Sequence, residues 1–474
     1  MKRTTFDLPL RLRRGAGEPL RTQVIRELRA AVQSGRLAAG SPLPSTRSLA
    51  EDLGVSRGMV VEAYEQLAAE GYLHAQPGSA TRVAWRTRTG ASGMESGNGG
   101  ERAPTRTRVR YDFRPGVPDV ALFPRRAWLR AMRRAWSAPS TAVLDYPDPA
   151  GVAPARAALA DYLNRSRATI ADASRIVLCT GFAQGARLIA DALVARGVRR
   201  LAVENPGHAE DCADFRASGL ELVPIAVDRD GMCVDELRAQ HVDAVLVTPA
   251  HQYPTGAVLS PQRRAAMLDW AMQRNAWVLE DDYDAEYRYD RAPVGALQGL
   301  APERVIYIGS ASKMLAPSLR QGWLVVPELL IAEVQRAKLS ADRGSPVLEQ
   351  LALAEFLEAG ELDRHLRKTR VLYRRRRDVL DQALHAHLPG FESVGIAAGL
   401  HLLLVLPRRH DETRIVTAAA ELGVRVYGAH KYFIGARDSY PALLLGYGGI
   451  AEERIEAGVE RLARAVQQGS ASRR

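Results

Sequence analysis

The sequence predicts a large α/β body on a mostly parallel sheet, preceded by a small helical module that ends in a β-hairpin. Three observations carry this. From about residue 111 onward, short apolar runs of strand character alternate with helical patterns, which gives a parallel sheet covered by helices on both faces. Ahead of it, two short helical patterns meet across a tight glycine turn. Between the two, RTRTGASGMESGNGGERAPTRTRVR (86–110) is rich in Gly, Ser, Thr and Arg, nearly free of apolar residues and without period. Such a stretch buries too little surface to offset its ordering entropy and is expected to be a flexible linker. The expected domains are therefore residues 13–85, the linker 86–110, and the body 111–470.

At 474 residues the chain exceeds one ordinary domain, and with 46% apolar and 25% charged residues it resembles an average globular protein. It lacks a run of about 18 uninterrupted apolar residues, so no transmembrane helix is expected. The opening MKRTTFDLPLRLRRG has charges without an apolar stretch behind them, unlike a secretory signal. Three cysteines, Cys179, Cys212 and Cys233, do not make a disulfide framework. The expectation is a cytoplasmic protein. Charge is uneven: residues 1–110 hold 18 Lys and Arg against 10 Asp and Glu, +8 of the chain's +11. A basic module points to a polyanion, nucleic acid being the usual one, unless arginine is simply abundant throughout.

In the leading module, Leu20, Val24, Leu28, Ala31 and Val32 recur at helical spacing until Gly35 stops the helix. Ser45 then caps a short helix whose Leu49, Ala50 and Leu53 face inward. Gly54 ends it, and Ser56 caps a third helix with Val60, Tyr64 and Leu67 on its buried face. Two short helices across a tight turn make a helix-turn-helix, and YLHAQPGSATRVAW, around Pro77-Gly78, reads as a hairpin wing. The third helix would enter the major groove with Arg57 and Gly58 at its leading end. Arg47 and Thr46 start the second helix, Ser45 and Ser56 mark helix N-termini that can receive phosphate oxygens, and Arg82 sits on the wing. Each arginine alone reads more readily as a solvated surface charge than as a base reader. Together, PLPSTRSLAEDLGVSRGMVVEAYEQLAAEGYL resembles the winged helix of GntR-type transcriptional regulators, over about residues 19–83, and implies binding to double-stranded DNA.

In the body, RIVLCT, RLAVE, ELVPIA, AVLVTP, AWVLED and RVIYIG are the strand candidates, with helices such as 182–195 and 261–274 between them. Ligands of open α/β sheets sit beyond the carboxyl ends of strands. There, TGFAQGA leaves N–H groups at Ala183 and Gln184 to cradle a phosphate. AWVLEDDYDAEY sets acids directly after a strand, either as solvated helix caps or as partners for a cationic ring nitrogen. RVIYIGSASKMLAPSLRQGW puts one lysine after a strand, seven residues before Arg320. Such a lysine either snorkels to the surface or serves Schiff-base chemistry beside a phosphate group. One cofactor needs the whole set, pyridoxal 5'-phosphate (PLP): an amine for its aldehyde, a phosphate cup, a carboxylate for the pyridine nitrogen and donors for the phenolic oxygen.

From about Tyr111 the body resembles a fold-type I, class I/II aminotransferase: an αβα sandwich, mostly parallel, with a small C-terminal α+β subdomain. Winged helix, linker and aminotransferase body in this order are similar to the MocR subgroup of GntR regulators, which includes the PdxR and GabR types. FRPGVPDVALFP, YPDPAG, TPAHQYPTG, EDDYDAEYRY and SASKMLAPSLRQGW carry that resemblance. It implies Lys313 as the Schiff-base lysine, Asp281 on the pyridine nitrogen, and Tyr283 on the phenolic oxygen with Gln252 or Tyr253 beside it. It also implies Ser310, Ser312 and Arg320 with the backbone of Ala183 and Gln184 on the phosphate, and Tyr146 reaching the phosphate from a partner subunit.

Two departures bear on chemistry. After ENPG the family commonly has a tyrosine stacked on the cofactor; here His208 either stacks, hydrogen-bonds, or is a surface turn histidine. In HKYF, Lys431 stands where relatives often carry the arginine for a substrate carboxylate, and lysine lacks the bidentate fork. Arg437 is a possible substitute. The sequence therefore favours a homodimeric, head-to-tail PLP sensor, responding to PLP or a PLP–amine adduct and tied to vitamin B6 or amine metabolism, with weak or half-transamination. The alternatives are a working aminotransferase with an accessory DNA-binding head, and an architectural DNA binder with a degenerate body. No metal and no membrane partner are expected.

Overall fold

The computed structural model describes residues 10, 12–14, 17–74, 80–84, 109–137, 143, 145–290, 294–435 and 439–470, the side chains of 209–212 and 470 excepted. The chain divides into two compact units, Met1–Pro104 and Thr105–Arg474.

In the first unit three helices, α1 (Leu20–Gln33), α2 (Thr46–Leu53) and α3 (Arg57–Ala69), precede an antiparallel pair, β1 (Leu73–His74) and β2 (Arg82–Val83). Ser45 Oγ accepts from the Ser48 N–H at 3.1 Å and Ser56 Oγ from the Met59 N–H at 3.4 Å, so both serines cap as their sequence positions require. Gly54 links the two helices at φ +62, a conformation that suits glycine. Val24, Leu28, Leu49, Val60, Leu67, Leu73 and Val83 form the core. Leu10 and Leu12 pack against it and the Arg13 N–H reaches Gln23 Oε1, so the packed unit begins before residue 13. Pro77-Gly78 at the wing tip lies outside the described residues.

The second unit starts at β3 (Tyr111–Asp112) and is built on an eight-stranded sheet. Its strands are β4 (Ile176–Cys179), β5 (Arg200–Asn205), β6 (Glu221–Asp228), β7 (Gly231–Met232), β8 (Ala244–Val247), β9 (Trp277–Asp282), β10 (Val305–Ser310) and β11 (Gly322–Val325), in the order β4-β11-β10-β9-β8-β5-β6-β7. The six expected strands all run one way; β11, which the sequence reading did not anticipate, runs between β4 and β10 in the opposite direction. The expected helices form as Phe182–Ala195 and Pro261–Arg274. Period-two alternation sends Leu279 and Ile306 to a core shared with Leu188, Ile189 and Leu193 on one face. Val278 and Val305 join Met267, Leu268 and Trp270 on the other.

The C-terminal subdomain is an antiparallel sheet, β12 (Glu392–Val394), β13 (His401–Val405), β15 (Tyr427–Gly428) and β16 (Ala442–Gly446), with the helices Glu361–His387, Glu412–Glu421 and Glu452–Ser470. The short β14 (Val424–Arg425) pairs with β3, and the Arg110 N–H already bonds the Gly423 carbonyl, so the packed body begins just before 111. Beneath the strand ends Arg167 and Asp282 form a buried ion pair at 2.6 Å, each 1% exposed, and Tyr307 Oη donates to the same carboxylate at 2.7 Å. Cys179 and Cys233 are free thiols. Among the described residues no helix is long and apolar enough to cross a membrane.

Candidate cofactor site and nucleic-acid interface

A cavity of about 340 Å³ opens at the carboxyl edge of the sheet. Parallel pairing sets Asp281 opposite Ile308, so the end of β9 delivers Asp281 beside the segment that follows β10. That segment contributes Ser310, Ser312 and Lys313 to the wall; β5 contributes Glu204, then Gly207 and His208; β8 leads to Thr248 and Tyr253.

The phosphate end forms where β4 turns into the helix Phe182–Ala195. Its first-turn N–H groups have no intrahelical acceptor, and they open at the cavity beside Phe182, Ala183, Ser310, Ser312 and Arg320. Gly181 has φ +102, and a Cβ there would stand 3.1 Å from the Arg320 guanidinium. This is a cradle that only glycine leaves open. The Gln184 side chain, in contrast, turns into the scaffold. Its Oε1 accepts from the Thr180 N–H at 2.8 Å and its Nε2 donates to Asp342 at 2.8 Å. Asp342 also accepts from Lys338, a fully buried lysine bonded to Ser345 Oγ. Gln350 Nε2 donates to the Ser345 carbonyl and its Oε1 accepts from the Val152 N–H, which carries the chain of bonds to the segment holding Tyr146.

The opposite end holds Asp281, Tyr283 and Tyr253 with His208, whose ring lies 5.0 Å from that of Tyr253. Burial, then the nearby Asp284 charge, pushes the Tyr283 phenol well above its ordinary range, so it stays an O–H donor. Gly116, from FRPG, closes the wall over Lys313; a Cβ there would be 3.4 Å from Nζ. Gln252 departs from the sequence expectation. Its Nε2 is spent on the Pro206 and Tyr253 carbonyls and its Oε1 on Thr255, which leaves Tyr253 as the member of the pair that faces the cavity. Sequence reasoning missed Pro115, Gly116, Phe182, Glu204 and Thr248 on the wall, although all five lie within quoted segments. Glu204 Oε2 accepts from both Thr248 donors and from Gln252, yet burial pushes its carboxyl up to about 7.

Two expected residues do not line this cavity. The Lys431 ammonium is exposed and lies 5.0 Å over the ring of Tyr432 and 5.6 Å over that of Tyr427, so cation–π contact holds it off the wall. Tyr146 is 86% exposed. Arg437 lies outside the described residues. Where no metal is expected, His251, Asp284 and His401 gather with candidate ligand atoms within 4.8 Å.

In the leading unit, Thr46, Arg47, Arg57 and Gly58 are exposed or half-exposed at the starts of α2 and α3. Arg47 pairs loosely with Glu51 at 3.2 Å. A Cβ at Gly58 would meet nothing within 4 Å, so this surface is open to a large partner. Arg82 is exposed but tethered, its Nη1 donating to the Gly40 carbonyl at 2.9 Å.

Comparison with known proteins matches residues 20–83 to the gntR family of bacterial regulatory proteins and residues 116–430 to aminotransferase class I and II. The chain is 33% identical to the probable rhizopine catabolism regulatory protein MocR of Rhizobium meliloti, over 95% of this chain and 94% of that one. It is also 33% identical to the pyridoxine biosynthesis transcriptional regulator PdxR of Corynebacterium glutamicum, over 98% and 99%. This chain belongs to the MocR group of GntR-family regulators. The MocR-group body also resembles the multiple substrate aminotransferase of Thermococcus profundus, with TM-score 0.71 and 26% identity over 77% of this chain and 93% of that one. As a GntR-family member the MocR-group chain binds DNA through its helix-turn-helix. Its cofactor is PLP, and the cavity suits it: a glycine-bared cup under an arginine, a carboxylate at a strand end, a buried phenol that keeps its proton, and one lysine on the wall.

Proposed function

We propose that this transcriptional regulator senses PLP itself, or an amine that PLP captures, and that it does so as a homodimer controlling vitamin B6 or amine metabolism. The observation that carries this is the composition of the cavity wall. Among the described residues its only Lys and Arg are Lys313 and Arg320, and the cofactor would engage both. Among the described residues no third cation lines the wall to hold a substrate carboxylate, which an efficient aminotransferase would require; Arg437 lies outside them.

Each residue has a definable task. Arg320, Ser310, Ser312 and the N–H groups around Ala183 hold the phosphate. Asp281 keeps the pyridine nitrogen protonated, Tyr283 donates to the phenolic oxygen with Tyr253 beside it, and His208 covers a ring face. When bound, PLP supplies an aldehyde that bonds amines and a ring that withdraws electrons. Lys313 would supply the amine that holds that aldehyde, in competition with any free amine. Tyr146 at 86% exposure, with Trp136 and Leu129 at 60% and 57% on the helix Arg125–Ser137, supports a second copy covering this side. A head-to-tail pair would present two winged helices to two half-sites. Arg57 and Gly58 would face base edges, with Ser45, Thr46, Arg47, Ser56 and Arg82 on the phosphates.

The test is the affinity of the full chain for its own upstream DNA at fixed salt, with and without PLP. PLP is expected to change the affinity and Lys313→Ala to abolish that response. An identical response in the variant rules out sensing through Lys313. Steady turnover of an amino acid with a keto acid, at about 1 per second or faster, would make the body a working aminotransferase.

A further inference from the structure

Behind Tyr253 and Tyr283 the wall holds polar groups to which cofactor binding assigns no task. His251, 3% exposed, places Nδ1 3.1 and 3.0 Å from the two oxygens of Asp284 and 3.0 Å from Tyr283 Oη. Asp284 is 2% exposed. Two glycines fix the imidazole. A Cβ at Gly399 would stand 2.1 Å from its Cε1, and one at Gly256 3.3 Å from its Nε2. His401 lies 5.1 Å away, ring to ring. Burial, then the neighbouring His251, holds His401 well below the ordinary histidine range, so it adds no charge.

One ring nitrogen cannot donate to a carboxylate and accept from a phenol at once. Nδ1 faces two oxygens of a group that only accepts, so Nδ1 carries the proton. Tyr283 Oη then takes a share of the Nδ1–H as acceptor, and its own proton has to point elsewhere. Tyr283 forms the cavity wall, and the direction left is the cavity. We propose that His251 is a positioning residue: oriented by Asp284, it turns the Tyr283 hydroxyl outward, so that the phenol donates to the phenolic oxygen of PLP. Without the imidazole the phenol would instead turn toward the Asp284 carboxylate.

This rests on the cofactor reading, and the test separates the two. The midpoint of the pH-dependent visible band of the PLP-loaded chain follows the proton shared by the Lys313 nitrogen and the phenolic oxygen. When that proton leaves, the oxygen loses an internal hydrogen bond, so an outside donor favours departure and lowers the midpoint. The other titratable groups facing Tyr283 are Tyr253, Asp281 and Glu204, and Lys313 faces His401; all are retained in every variant.

His251→Ala is expected to raise the midpoint by about one pH unit, and Tyr283→Phe by a similar amount. The double variant is expected to go no higher than either, since both remove one interaction. His251→Asn keeps an N–H toward both neighbours and should return the midpoint close to wild type. Asp284→Asn frees Nδ1 to accept and should raise it. A wild-type midpoint in His251→Ala, or shifts of His251→Ala and Tyr283→Phe that simply add, would overturn the proposal. Should His251→Ala fail to fold, an unshifted Asp284→Asn overturns it equally. Absence of any visible band in the wild-type chain would count against the cofactor reading instead.

Discussion

A methyl group placed on Gly181 would come within 3.1–3.3 Å of all three terminal atoms of the Arg320 guanidinium. The same glycine holds φ +102, where an L side chain costs about 1–3 kcal/mol. Gly181→Ala is therefore expected to weaken PLP binding about tenfold or more while the head still binds DNA. Absorbance titration with PLP measures the first and a gel shift without PLP the second. Unchanged PLP affinity would mean that the cup does not take the phosphate.

Glu204 gives the body a pH dependence of defined sign. Its carboxyl is raised from 4.5 to about 7 by burial, so the folded chain keeps a proton that the unfolded chain has released. Stability from this group is thus present at low pH and lost as pH climbs through about 7. Glu280 and Glu286, also pushed up to about 7 by burial, act in the same direction. Glu204→Gln retains an acceptor for Thr248 but cannot ionise. Its melting temperature relative to wild type should rise between about pH 5 and pH 8. Parallel melting curves across that range would contradict the assignment.

The start of α3 separates a structural residue from a reading one. Ser56→Ala removes the cap on the Met59 N–H and should cost about 1 kcal/mol of stability in the head. Arg57→Ala should leave stability unchanged and weaken specific DNA binding by about 1–3 kcal/mol, relaxing discrimination at one base position. Equal weakening on all sequences would assign Arg57 to the phosphate backbone.

Asp282→Asn is expected to destabilise the body by about 3–5 kcal/mol, because Arg167 would remain charged and buried with its neutralising partner gone. Urea unfolding of the full chain measures this. A loss below about 1 kcal/mol would mean that water or Glu286 takes over the pairing.

The strands and helices that place the site were legible because each has its own local pattern. The helices 182–195 and 261–274 coincide with observed elements, and six apolar runs became the six parallel strands. Gly322–Val325 was missed because four residues after a tight turn carry no period of their own; the strand exists through its pairing with both β4 and β10. Side-chain direction was equally out of reach. Gln252 sits within TPAHQYPTG, yet a long-range partner, the Pro206 carbonyl, turns it away from the cavity. Lys431 was assigned by its place in HKYF, whereas the rings of Tyr427 and Tyr432 decide where its charge rests. The His251–Asp284–Tyr283 contacts join residues up to 33 positions apart and leave no trace in local spacing.

The hydrogen-bonded chain from Gln184 through Asp342, Lys338, Ser345 and Gln350 to Val152 ties the proposed phosphate cup to the segment that leads from Tyr146 within the same chain. If Tyr146 completes the partner's cup, each filled cup braces the residue that its neighbour needs. Loading of the two cups would then be positively coupled: the first molecule bound would ease the second, and the promoter's response to cofactor would be steeper than that of two independent sites.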